Sequence, residues 1–157
     1  MKTIKGIVVF KAKKIDVTDP CYNKDILYRI KVDIIPGEYI YKAYIRKIGN
    51  SGNRVTQLSI ISVSAKSRVR KGKLVGKIGV DAGLAGFFEN KPDYSFKQWD
   101  KICNILRDQS DVYEAKKENE LKCRGVFSTS GLGDGYYPVY ELLDWKENRC
   151  GYTILFL

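Results

Sequence analysis

Apolar and polar residues alternate along much of this chain with a period of two. In residues 27–35, Tyr28, Ile30, Val32 and Ile34 fall on one side, and Arg29, Lys31 and Asp33 on the other. Successive side chains of a strand point to opposite faces, so the pattern predicts a half-buried strand. Residues 38–48 repeat it, with Tyr39, Tyr41, Ala43 and Ile45 sharing a face. Pro36-Gly37 lies between the two runs and is a turn signal. The pair therefore reads as a hairpin.

The same reasoning predicts strands at 4–11, 55–65 and 74–80, with a turn at Asn50-Ser-Gly-Asn53 that makes 55–65 antiparallel to the run before it. A glycine-containing segment, Asp81-Ala-Gly-Leu-Ala-Gly-Phe-Phe88, follows. The period then changes. Ser95 and Gln98 form a capping box, and Phe96, Trp99, Ile102, Cys103 and Leu106 recur at spacings of three and four. That is one stripe of a helix, and a second, polar helical stretch is expected over 111–119. Strands return at 123–129, 137–143 and 151–157 and read as a three-stranded meander. The chain closes on Tyr152-Thr-Ile-Leu-Phe-Leu157, an apolar run expected to dock as a core strand. The sum is an α+β fold: a mostly antiparallel, sandwich-like β-sheet with one helical insert around residues 95–119, in a single domain over 1–157.

Composition narrows the chemistry. The chain has 157 residues and no histidine. That removes the commonest general base, the commonest zinc ligand, and any Ser-His or Cys-His nucleophile system. The four cysteines, Cys21, Cys103, Cys123 and Cys150, form no Cys-x-x-Cys pair and read as free thiols. No catalytic residue, metal ligand or cofactor is assigned. No apolar run approaches the roughly 20 residues that span a bilayer. The N-terminal apolar run, Ile7 to Phe10, is too short for a signal segment, so a cytoplasmic protein with no membrane partner is expected.

Charge adds a partner class. The formal net charge is +10, from 28 basic and 18 acidic residues. Residues 66–73 hold five positive charges and no negative one, and Lys11, Lys13 and Lys14 form a second cluster. An anionic partner follows: a nucleotide, a nucleic acid or an acidic protein surface. Arg68, Arg70 and Lys71 are the candidate contacts.

Three segments carry the candidate site. Asp19, Asp81 and Asp134 each adjoin glycine or proline near a strand end. Such carboxylates fix turns by bonding their own backbone. Converging, they would instead recognise a ligand or hold a hard cation. Gly83, Gly131 and Gly133 fit neither a P-loop nor a dinucleotide fingerprint, but their loops are candidate anion nests. The 11 tyrosines outnumber six phenylalanines. Tyr22, Tyr136 and Tyr137 flank the motifs, and a tyrosine ring suits either cross-strand packing or stacking on a planar base.

Asp-Pro-Cys-Tyr at 19–22, Asp-Ala-Gly-Leu-Ala-Gly at 81–86 and Gly-Asp-Gly-Tyr-Tyr-Pro-Val-Tyr at 133–140 occur in that order before the closing strand. In this the chain resembles a family of small bacterial and phage proteins classed as a domain of unknown function. The resemblance implies a β-rich single domain and brings no activity or catalytic residue. The basic stretch at 66–73 departs from the family pattern.

The functional expectation is a non-enzymatic protein that binds a small anionic ligand, a nucleotide or nucleotide-derived signal, in the manner of a phage sponge. One alternative is a protein-interaction module, an inhibitor or immunity protein docking through its basic surface. The other is a metal-dependent phosphoesterase built on Asp19, Asp81 and Asp134. A homo-oligomer with its pocket at a subunit interface stays open.

Overall fold

Two antiparallel sheets stack face to face in the computed structural model, which describes residues 1–23, 28–65, 68–106 and 110–157. The strands are β1 (Lys2–Phe10), β2 (Lys14–Thr18), β3 (Ile30–Asp33), β4 (Gly37–Lys47), β5 (Asn53–Ser62), β6 (Arg70–Val80), β7 (Leu84–Glu89), β8 (Val112–Ala115), β9 (Arg124–Thr129), β10 (Gly135–Leu143) and β11 (Arg149–Leu155); the helix α1 is Phe96–Leu106. The larger sheet has the order β1-β4-β5-β11-β10-β6, the smaller β3-β2-β7-β9-β8. The fold is therefore α+β and mostly β, as the alternation predicts. Among the described residues, no helix is long and apolar enough to cross a membrane.

The inner faces make the main core. Tyr39, Tyr41, Ala43 and Ile45 of β4 meet Ile15, Val17, Phe87 and Val126 of the smaller sheet. Ile154 and Phe156 are buried in the same cluster, so the closing apolar run is docked. A second cluster lies on the outer face of the smaller sheet, where Phe88 and Phe127 pack under Trp99, Ile102 and Leu106 of α1. The capping box is formed: Gln98 Oε1 accepts from the Ser95 N–H, and Ser95 Oγ from the Gln98 N–H. One face of the smaller sheet is thus covered by the helix. The outer face of the larger sheet has no helix over it among the described residues.

Four expectations change. Residues 27–35 and 38–48 do not form a hairpin: β3 pairs with β2, and β4 pairs with β1 and β5. Pro36-Gly37 is a corner between sheets, because both strands turn their apolar faces into one core from opposite sides. The C-terminal meander is also split. β10 and β11 pair, but β9 lies in the smaller sheet between β7 and β8. The polar stretch 111–119 is no helix. It opens with β8, where ladder bonds to β9 and stacking of Tyr113 on Phe127 (centroids 5.2 Å apart) override the helix propensity of Glu and Lys. Finally, Phe96 leaves the predicted stripe and is 90% exposed, since it sits in the first turn, beyond the edge of the sheet contact. Leu27, Lys66, Ser67 and residues 107–109, expected in a strand, the basic segment and the helical insert, lie outside the described residues.

Candidate functional site

The three motifs, at 19–22, 81–86 and 133–140, meet at one end of the sandwich, with Asp19 at their centre. Its side chain is fully buried. Oδ1 accepts from the Cys21 N–H at 2.8 Å, and Oδ2 from the N–H groups of Asp81 and Ala82, both at 2.7 Å. Burial raises its pKa, and these backbone donors oppose the rise. Asp19 therefore closes the turn between β6 and β7. The late motif joins through Ser130, whose N–H donates to the Gly83 carbonyl at 3.1 Å. Gly131 (φ 55°) and Gly133 (φ 120°) carry the chain from β9 across to β10 in backbone conformations that favour glycine.

That crossing is closed internally. Gly131 donates its N–H to Val55 O at 3.0 Å and Gly133 to Ser130 O at 2.8 Å. The Gly133 carbonyl accepts from Ser130 Oγ at 2.8 Å and from the Tyr137 hydroxyl at 2.6 Å. The Gly131 and Gly133 amides are thus already bonded within the protein. Asp81 and Asp134 are exposed. Among the described residues no three His, Cys, Asp or Glu side chains gather as a metal ion would require.

Tyrosines crowd the same end. Tyr28 and Tyr136 meet edge to face, with centroids 5.3 Å apart. They cross Gly79, where an added Cβ would lie 2.8 Å from Tyr28 Cβ and 3.4 Å from Tyr136 Cε1. Burial, then the charges of Asp19 and Asp81, push the Tyr22 hydroxyl up to about 12. The Tyr22 carbonyl takes a hydrogen bond from Lys91 Nζ at 2.9 Å, as does the Pro92 carbonyl. Lys91 is fully buried, 4.5 Å from the Tyr94 ring centre, and burial with the nearby Arg29 charge lowers its pKa to about 8. Tyr137 packs against Phe156 instead, with centroids 5.1 Å apart.

Arg68, Arg70 and Lys71 are elsewhere. Lys71 and Gly79 are eight residues apart on β6, about 26 Å at a strand's rise. The basic group and the glycine motifs therefore stand at opposite ends of one strand. Arg70 turns to Glu147, with Nη2 2.5 Å from Oε1. Arg68 and Lys71 do share a site: a recess of about 410 Å³ on the open outer face of the larger sheet. Its size falls within the range typical of small-molecule pockets.

The floor of this recess is hydroxylic. Thr153 stands opposite Ser59 across the β5–β11 ladder, with Oγ atoms 2.7 Å apart, and Gln57 Nε2 donates to Thr153 Oγ1 at 2.9 Å. Both hydroxyl residues are only 1% exposed, although they point away from the core. Lys42 and Tyr44 form one wall, and Ala65, Arg68 and Val69 of the β5–β6 connection the other. Lys71 Nζ sits 4.4 Å from the centre of the Tyr140 ring, which fixes its stem on the sheet. Among the described residues, three cations and no carboxylate line the recess.

Sequence reasoning picks out Arg68 and Lys71 but misses Lys42, Tyr44, Gln57, Ser59 and Thr153. A signal for them exists. The alternation that buries Tyr41, Ala43 and Ile45 sends Lys42 and Tyr44 outward; Ser59 lies between the buried Leu58 and Ile60, and Thr153 between the buried Tyr152 and Ile154. No family model matches the chain, and no curated protein or solved structure matches it either.

Proposed function

We propose that this chain is a non-enzymatic binding protein that captures a small anionic ligand, a nucleotide or nucleotide-derived signal, in the recess on the larger sheet. The observation that carries the reading is the lining itself: Lys42, Arg68 and Lys71 around bonded hydroxyls, with no carboxylate among them. Cations held at the mouth of a partly desolvated recess favour phosphate oxygens over water. Gln57, Ser59 and Thr153 supply neutral donors and acceptors below them, and Tyr44 offers an aromatic wall for a base. A recess suits a compact ligand better than a flat protein surface would. The phosphoesterase reading has less support, because both Asp19 oxygens are engaged by backbone amides.

A thermal-shift panel tests this, with pyrophosphate, nucleoside mono-, di- and triphosphates and cyclic nucleotides, each with and without Mg²⁺. A ligand at about 100 times its Kd stabilises the fold by about 2.7 kcal/mol. The expected result is a shift with one phosphate-bearing class, lost in Arg68→Glu and Lys71→Glu, and no turnover of that ligand. A flat panel overturns the reading, and hydrolysis of the ligand overturns its non-enzymatic part.

A further inference from the structure

The outer face of the larger sheet carries its positive charge in an unusual register. Lys5 of β1 stands directly opposite Lys42 of β4, and Arg46 of β4 directly opposite Arg54 of β5. The residues beside these pairs, Ala43 and Tyr41 on one hand and Ile45 and Val55 on the other, are buried, so all four cations point outward. Like charges directly opposite on neighbouring strands destabilise a sheet. Neutralisation would normally come from carboxylates. Among the described residues, none of Lys5, Lys42, Arg46, Arg54, Arg68 or Lys71 lies within salt-bridge distance of one. These six cations thus share the face without an ion-pair partner among the described residues.

These cations are too spread out for a mononucleotide. From β1 to β6 the face crosses five strand spacings, about 24 Å, and Lys42 and Arg46 are about 13 Å apart along β4. A ligand that neutralises both paired sites and also enters the recess must carry several phosphates along an extended backbone.

We propose that the occupant is a single-stranded nucleic acid laid across the strands of this face, its phosphates on the paired cations and one nucleobase in the recess. This rests on the recess being an anion site, as argued above, and names the ligand class. A duplex keeps its bases stacked inside and would bring only phosphates to the rim, leaving the recess and the Tyr44 wall unfilled. A single strand can turn one base into the recess against Tyr44 while its phosphates stay on the cations at the rim. Site sizes of roughly 4–16 nucleotides are known for β-sheet folds that bind single strands.

The test is fluorescence anisotropy of the whole protein with labelled oligo(dT) and oligo(rU) of increasing length, against thymidine triphosphate and a duplex of matched length, over a salt series. The proposal expects affinity to climb with length to a plateau. It also expects log K to fall with log salt by about 0.7 per phosphate contacted, so about four contacts weaken binding roughly fifty-fold for a fourfold rise in salt. Lys5→Gln and Lys42→Gln should raise the melting temperature of the free protein while weakening oligonucleotide binding. A merely structural role for these lysines would not move the two readouts in opposite directions. Affinity independent of length and equal to that for the triphosphate overturns this inference but leaves the small-ligand reading standing. Duplex binding as tight as single-strand binding overturns it too. Loss of melting temperature in the lysine variants, or unchanged oligonucleotide affinity, does the same. If neither oligonucleotide nor triphosphate binds, both readings fall.

Discussion

The carboxylate of Asp19 accepts the backbone N–H of Asp81 at 2.7 Å, joining two turns that are 62 residues apart in the chain. With Cys21 and Ala82 it has three amide donors and no exposure to water. One side chain thus organises the loop after β2 and the turn between β6 and β7.

Replacing Asp19 by Asn should be costly. One oxygen becomes an NH₂ group that faces an amide donor, leaving buried donors unpaired. A loss of about 2 kcal/mol is expected from such a charge-assisted site. Urea unfolding monitored by circular dichroism would measure it. A variant as stable as the parent would mean that the turn does not depend on this carboxylate.

Lys91 should leave a mark on the pH dependence of stability. Its pKa in the folded protein is lowered from 10.5 to about 8 by burial, with Arg29 contributing. Below pH 8 the lysine is charged in both states and the burial penalty applies in full. Between about 8 and 10.5 the unfolded chain holds the proton that the folded chain has released, so stability rises with pH. The full span corresponds to about 3 kcal/mol. Thiols act oppositely: burial raises Cys21 to about 11, so its contribution falls as pH rises from 9. Comparison with Lys91→Met separates the two. The parent should gain stability relative to the variant from pH 8 upward, measured as urea midpoints at matched pH.

Arg68 and Arg70 are two residues apart and face different surroundings. Arg68 lines the recess, whereas Arg70 binds Glu147. Arg68→Gln and Arg70→Gln remove the same charge. In a titration with whichever nucleotide shifts the melting temperature, the first should weaken binding about tenfold, the range of one lost charge-assisted hydrogen bond. The second should change it less than threefold. Equal effects would mean that overall charge, rather than the recess, governs binding.

Gly79 carries the Tyr28–Tyr136 pair. Valine there would drive its Cβ to 2.8 Å from Tyr28 Cβ, so that ring must shift. A loss of about 1–3 kcal/mol is expected for such overpacking, together with a changed near-ultraviolet tyrosine signal. Tyr28→Gly, which removes the Cβ that valine meets, should recover part of the loss in the Gly79→Val background in a double-mutant cycle. Additive losses would show that the two positions do not press on each other.

Local pattern was enough to identify much of this molecule. Period-two alternation marks β4 and its buried face, because a strand's side-chain geometry repeats within the chain itself. The Ser95–Gln98 reciprocal bonds span three residues, so the helix start is legible from sequence. The apolar end of the chain had to be covered, and it is. What escaped is everything that depends on which strand lies beside which. An alternating strand looks the same whether its neighbour is the next run in a hairpin or a strand of the opposite sheet, so alternation alone does not fix the partners of β3 and β9. Arg68, Lys42 and Thr153 come from distant parts of the chain, and only the register of β4, β5 and β11 brings them around one recess. The opposition of Lys5 to Lys42 has the same origin. Each lysine alone reads as an ordinary exposed residue, and the repulsion between them exists only once β1 and β4 pair.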